Sequence, residues 1–405
     1  MIQLFSMAFR DLGRNRRRTF FSMLAVGLGL ALLLLMASFI TGEIKGAFDR
    51  SIELQTGDIQ VRAKTYNDSK ASLAYQDLVE NPDQVAAQIA SLSPVTVATP
   101  RLYASGIILS GNNSTGVRVV GIEPASPANV PFRDAMVTGQ FITADDRTGI
   151  LIGQSLADKI EVKTGDTVNL MVNTSNGSVS QQNFTVRGIY NTHTPGFDDT
   201  MVFMPLAKAQ AIANTQNYAS IIFVLLKDKN QASAVVTALQ ASQYQTQTWI
   251  QMNDLIYQTE QLSNSYMWLL YLIVMGITAT VIVNTLIMSV FERTREIGIL
   301  SAIGMKSSRI MSMFLAESSI LAVGGIVIGL ALGTAMVFYA ATYGFYIGNF
   351  GVTGIMLGDT IHASLNLNDA LTLTLLALVI TLLSALYPAI MAANLEPVEA
   401  LHGGK

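Results

Sequence analysis

Four stretches of the chain lack charge over lengths that suit membrane-crossing helices, and the segment between the first two is patterned differently. Thr19 to Gly42 is uncharged throughout. About 20 apolar residues cross a bilayer core as a helix, so a first span is placed at 19–42. Gln261 to Phe291 is the second uncharged run and contains a span at 266–290. Ser318 to Gly358 is uncharged over 41 residues, too many for one span and tight for two. A third span at 311–341 followed by an apolar outer loop at 342–367 accounts for it. The fourth span covers 368–392, and Pro388 should kink or end that helix near its inner end.

Residues 43–265 are of another kind. Charges return, and short alternating runs at 57–63, 95–99, 104–110, 116–122, 167–173, 183–190 and 220–226 read as strands. Helices are expected at 82–92, 153–160, 205–214, 230–242 and 252–264. GNNSTG at 111–116 and NTSNGS at 173–178 are hairpin-type turns. The fold class is therefore an α-helical membrane protein with four transmembrane helices plus a large α+β extracytoplasmic domain inserted between the first and second helices. A strand-rich block at 101–192 is expected to form a distal lobe. The flanks, 43–100 and 193–265, are expected to pair as a membrane-proximal lobe.

The first 18 residues place Ile2, Phe5, Phe9 and Leu12 at helical spacing among Gln3, Arg10, Asp11 and Arg14, the pattern of a helix lying on the membrane surface. Arg14, Arg16, Arg17 and Arg18 stand just before the first span. The positive-inside rule then puts both termini, 1–18 and the tail 393–405, in the cytoplasm. The first apolar run is too long for a usual signal-peptide core, so it is read as an uncleaved span.

Composition agrees with a membrane protein. Half the residues are hydrophobic and only 13% are charged, against about 25% in a typical soluble domain. The net charge of −3 gives no case for nucleic-acid binding. There is no cysteine, which excludes disulfides and thiolate chemistry, and three scattered histidines, His193, His362 and His402, give little support for a metal site. The nearest decoy to a phosphate-binding loop, Gly298 to Ser307, has Met305 between its glycine and lysine. No catalytic elbow or zinc motif occurs. Asp145–Asp146 and Asp198–Asp199 read as solvated turns. The chain alone is not read as an enzyme: catalytic and metal residues are none, and no cofactor is assigned to it.

Two features carry more. Gly325, Gly329 and Gly333 share one helix face and suit close backbone packing. Asn284 and Thr285, deep in the second span, are expected to hydrogen-bond to a neighbouring helix. The stretch 291–310, FERTREIGILSAIGMKSSRI, is a charged, helix-prone segment between two spans. Glu292 and Glu296 lie one turn apart, as do Arg293 and Ile297. Ile297, Leu300 and Ile303 form an apolar ridge, Gly304 can end the helix, and Ser307 or Ser308 can cap the next one. On physics alone it is either a docking surface for a soluble partner or a hairpin loop whose charges enforce topology.

That stretch closely resembles the cytoplasmic loop of the FtsX-like permease family, which includes the MacB-type exporters and the LolC/LolE lipoprotein-release permeases. NRRRTFFSMLAVGLGLALLLL resembles the family's first span. TGVRVVGIEP at 115–124, ILIGQSLADKIEVKTGDTVNL at 150–170 and FTVRGIY at 184–190 resemble its extracytoplasmic domain, and YPAIMAANLEPVEALHG at 387–403 resembles its C-terminal signature. ELQTGDIQVRAKTY at 53–66 resembles the LolE-like branch more than the others. The resemblance implies an inner-membrane ABC transporter permease that pairs with a second permease subunit, as a homo- or heterodimer. It also implies two copies of a separate ABC ATPase carrying ATP and Mg. Residues 291–310 would be the coupling helix, with Glu292, Arg293, Glu296, Ile297, Leu300 and Gly304 as ATPase contacts. A LolE-like member would extract a lipoprotein or other amphiphile from the outer leaflet, along an apolar wall expected at Leu28, Leu32, Met36, Phe39, Met267 and Leu270. The alternatives are MacB-like tripartite export by mechanotransmission and FtsX-like signalling to a cell-wall hydrolase. The outer partner would be a periplasmic carrier, an adaptor or that hydrolase, respectively.

Overall fold

The computed structural model describes residues 10, 13, 16–67, 70–239, 243–348 and 356–396. The surface helix expected at 1–18 falls mostly outside them, as do residues 397–403 of the C-terminal signature. The fold is that of an α-helical membrane protein with an α+β domain between its first and second apolar helices. By contacts the chain divides into two units, a helical one (Met1–Glu43, Glu260–Phe345, Ile361–Lys405) and a sheet-based one (Ile44–Thr259, Tyr346–Thr360).

Among the described residues, four helices are long and apolar enough to cross a membrane: Arg16–Ser51, Asp254–Glu292, Ser307–Tyr343 and Leu367–Ala393. The first two outrun the spans expected at 19–42 and 266–290. At about 1.5 Å per residue they exceed the roughly 30 Å of a hydrocarbon core. Loss of hydrophobicity marks the edge of lipid, not the end of a helix. Glu43, Lys45 and Asp49 are compatible with helix, and the first does not terminate until a π-helical turn, Ile52–Thr56, runs into Gly57 at φ +66°. Pro388 does not end the fourth helix either, which continues to Ala393.

Within the helical unit, Leu30, Leu33, Leu34 and Ala37 of the first helix pack with Met267, Tyr271 and Met275 of the second, Ile326 of the third, and Leu373 and Ala377 of the fourth. The three glycines lie against the first helix. A Cβ on Gly325 would sit 2.6 Å from Val26 Cβ, one on Gly329 would sit 2.8 Å from the Gly27 carbonyl oxygen, and one on Gly333 would sit 2.8 Å from Leu34 Cδ1. Ser22 and Thr285 hydrogen-bond between the first and second helices at 3.0 Å, while Asn284 is exposed.

The other unit is built on a mixed sheet. Its strands are β1 (Ile59–Arg62), β2 (Val79–Glu80), β3 (Val95–Ser110), β4 (Asn113–Ile122), β5 (Met136–Gly139), β6 (Gly149–Gly153), β7 (Thr167–Asn173), β8 (Val179–Tyr190), β9 (Met201–Pro205), β10 (Tyr218–Ala219), β11 (Ile221–Leu226) and β12 (Gln245–Thr248). The main sheet runs β12-β1-β11-β3-β4-β9-β6-β8-β5, with β7 joining β3 to β8, and β10 pairs with β2 apart from it.

The expected lobe division at 101 falls inside β3. Arg101 is paired with Ile221 of β11, and Leu102 with Gly121 of β4. One 16-residue strand thus belongs to both blocks. β9, outside the block 101–192, lies between β4 and β6. Its Val202 and Met204 share a buried cluster with Leu206, Ala209 and Ile212 of the helix that follows and with Ile108, Leu170 and Phe184 of the block. Residues 201–213 therefore pack with the strand-rich block, not apart from it. Strands β6 and β9 escaped the alternation pattern because every residue in them is buried. A continuous apolar run of five has no period to read.

Candidate functional site: the segment between the second and third apolar helices

The second helix ends at Glu292. At Arg293 the backbone leaves α-geometry (φ −111°, ψ 10°), and a new helix runs from Thr294 to Ala302. The corner is pinned by local hydrogen bonds: Thr294 Oγ1 donates to the carbonyls of Val290 (3.1 Å) and Phe291 (3.0 Å). Gly304, at φ +96°, closes the short helix, and Met305 N donates to Leu300 O at 3.0 Å. A residue with a side chain resists that φ, so glycine is required there. The third helix then starts at Ser307. Its N-cap is Lys306, and no side chain caps it, so Ser307 and Ser308 do not take the capping role expected of them.

The short helix has two faces. Arg293 and Ile297, one turn apart, point inward. Ile297 packs with Val290, Phe314, Ala389 and Ala392. The Arg293 guanidinium lies 3.5 Å from Glu317 of the third helix, with side-chain exposures of only 7% and 3%. The opposite face is open: Arg295 and Glu296 are exposed, and Ile299 and Ile303 are 44% and 80% exposed. Of the six expected partner contacts, Glu292, Glu296 and Gly304 are exposed and Leu300 is half-buried. Arg293 and Ile297 are instead anchors. Arg295 lies about 200° around the helix from Arg293, so once the anchors are known the outward face follows. Spacing alone did not choose between the two. Glu317 was also missed, although a single carboxylate inside an expected span was a usable signal.

The six residues expected to form an apolar wall are not brought together. Leu28 and Leu32 are exposed, whereas Met36, Met267 and Leu270 belong to the packed cluster between helices. Phe39 stacks edge-on against Phe345, with ring centroids 5.0 Å apart, and packs by Val337 and Ala340.

One aspartate of each pair in the sheet-based unit, Asp146 and Asp198, differs from a solvated turn residue, whereas Asp145 is exposed in a turn as expected. Asp146 holds Arg187 at 2.8 Å and accepts from Gly149 N, and its carboxyl lies below the usual range because these bonds outweigh its partial burial. Asp198 is buried and accepts from Thr192 N (2.9 Å) and Thr192 Oγ1 (2.8 Å). Burial pushes its carboxyl up to about 6 from 3.8, against the opposing pull of those hydrogen bonds. Between those values the folded state keeps a proton that the unfolded chain releases, so stability should fall as pH rises through about 4 to 6. The loss is at most roughly 3 kcal/mol. Asp198→Asn should flatten this dependence, measured by thermal unfolding of the detergent-solubilised chain across that range. Among the described residues, no cluster of three or more His, Asp or Glu is placed to hold a metal.

Residues 19–242 match the family model of the MacB-like periplasmic core domain, over more than half of the chain, and residues 268–397 match that of the FtsX-like permease C-terminal region. The chain belongs to this permease family. Among its relatives is the lipoprotein-releasing system transmembrane protein LolE of Haemophilus influenzae, 24% identical over 94% of this chain and 93% of that protein. LolC of the same system in Neisseria meningitidis is 21% identical over 95% and 93%. The macrolide export ATP-binding/permease protein MacB of Acinetobacter baylyi is 25% identical over 98% of this chain, which spans 59% of that relative. In this FtsX-like permease, the short helix 294–302 lies inside the C-terminal match, and every strand of the mixed sheet except β12 lies inside the first.

Proposed function

We propose that this permease is the membrane subunit of an ABC transporter that couples ATP hydrolysis on a separate ATPase to motion of its sheet-based domain. The observation that carries the reading is the short helix 294–302, rooted by Arg293 and Ile297 and presenting Arg295, Glu296, Ile299 and Ile303 outward. A rigid, amphipathic nine-residue helix fixed at both ends by turns suits insertion into a groove of a soluble partner. The face is cytoplasmic in this reading, as the arginines before the first span require, and both termini share that side. Two ATPase copies carry ATP and Mg, and a second permease subunit completes the pair.

The substrate is a lipoprotein or another amphiphile of the outer leaflet. Matches to the LolE and LolC relatives over nearly their whole lengths support this. Export of periplasmic substrates is the second reading, favoured by the likeness to the MacB relative over almost all of this chain. Affinity purification of the full chain from native membranes should recover an ATPase and show whether one or two permease types are present. Release of a lipoprotein to a soluble carrier supports the first reading. Recovery of an adaptor with an outer-membrane duct supports the second, and recovery of no ATPase removes both.

A further inference from the structure

Two consecutive residues at the root of the short helix reach in different directions. Glu292 closes the second helix and its carboxylate lies 2.6 Å from Arg18 Nη1, at the start of the first helix. Arg293 is the next residue, and its guanidinium lies 3.5 Å from Glu317 of the third helix. Ser289 Oγ, one turn before Arg293, donates to the other oxygen of Glu317 at 3.4 Å. Adjacent helical residues do not share a face, so one corner is tied to the first and third helices at once. The inner pair is almost wholly buried, with side-chain exposures of 7% and 3%.

The chemistry of that inner pair is unusual for its place. An ionised side chain within a membrane helix bundle is costly and is held only where a partner of opposite charge stands against it. A well-packed apolar pair at this position would serve stability as well or better. What a buried ion pair supplies that apolar contacts do not is register. Apolar burial is non-directional, whereas a buried charge separated from its counter-charge is strongly penalised.

We propose that Glu292 and Arg293 form a corner clamp that carries displacement of the short helix into the first and third spans, with Arg293 and Glu317 as its positioning residues. This rests on the coupling role proposed above. A load on the exposed face of helix 294–302 tilts the helix about its buried root. The apolar contacts of Ile297 would let the root slip. The Arg293–Glu317 pair makes the third helix follow, and Arg18–Glu292 makes the first helix follow.

The test uses the full chain with its co-purifying ATPase in proteoliposomes. The protein lacks cysteine, so a single spin label at Asn176→Cys, on the exposed turn after β7, reports ATP-driven change in the sheet-based domain. Glu317→Gln keeps the shape of the side chain and removes its charge. It should retain ATPase association within about twofold and lose at least tenfold of the ATP-dependent spectral change. Arg293→Lys, which keeps the charge, should retain most of that change. The exchange Arg293→Glu with Glu317→Arg should recover a response that either single exchange loses. A full response in Glu317→Gln overturns the clamp, as does a double exchange that folds and binds ATPase but stays silent. Loss of ATPase association in the unsubstituted protein would instead remove the coupling role, which separates the two failures.

Discussion

Ile303→Asp and Glu296→Lys should each leave the permease inserted and folded and should weaken its association with the ATPase. Ile303 is the most exposed large apolar residue of the segment, at 80%. Burying such a side chain in a partner groove is worth about 1.5–3 kcal/mol, and placing a carboxylate there adds a desolvation penalty. The expected loss is therefore 10- to 100-fold or more in affinity, read by co-purification and by titration of the ATPase onto the reconstituted permease. Glu296→Lys reverses a charge on the same face, and its effect should shrink as salt is raised. Ile297→Asp is the contrasting case. Ile297 is buried beside Phe314 and Ala389, so its carboxylate would unfold the inner end of the bundle and lower the yield of inserted protein. Equal ATPase binding by Ile303→Asp, Glu296→Lys and the unsubstituted chain would remove helix 294–302 as the docking element.

The second large effect concerns the seam between the first and third helices. Gly329→Leu places atoms where the Gly27 carbonyl oxygen lies 2.8 Å from the new Cβ and where Leu30 Cβ lies 2.9 Å away. Backbone cannot yield as a flexible side-chain tip can, so the two helices must separate. Overpacking of a well-packed core costs about 1–3 kcal/mol. Here the cost should reach the top of that range, because the seam is continuous through Gly325 and Gly333. The measurement is thermal unfolding in detergent, with Gly276→Leu as the control, since nothing lies within 4 Å of a Cβ at that position. Equal melting temperatures for the two variants would show that the close approach contributes nothing.

These two predictions depend on different kinds of information. The glycine face was legible in the chain, because a four-residue repeat of glycine in an apolar helix has one geometric meaning. Its partner was not, because any of three other helices could have approached it. The docking segment was legible as a charged helix between spans, but its orientation was not. Residues at 293, 297 and 300 and residues at 295, 299 and 303 are equally amphipathic alternatives, and only the position of Phe314, Glu317 and Ala389 decides which set is anchored. The apolar wall failed for a related reason. Leu28, Met36 and Met267 are indistinguishable by hydrophobicity, yet in a bundle some apolar residues face outward and others pack inward.

The sequence by itself determined the elements whose cause is local: four uncharged runs long enough for a bilayer, a strand-and-turn domain between the first two, a charged helix stopped by Gly304, and motifs that resemble one permease family. Tertiary structure decided everything that depends on a partner distant in the chain. It carried β3 across the expected lobe boundary by pairing it with β11 on one side and β4 on the other. It buried β6 and β9, and it raised the Asp198 carboxyl by taking water away from it. It also turned Arg293 inward to Glu317. Local pattern fixes what a residue can do, but the energy of burying a charge or filling a groove depends on which side chain stands opposite, and only the folded chain supplies that.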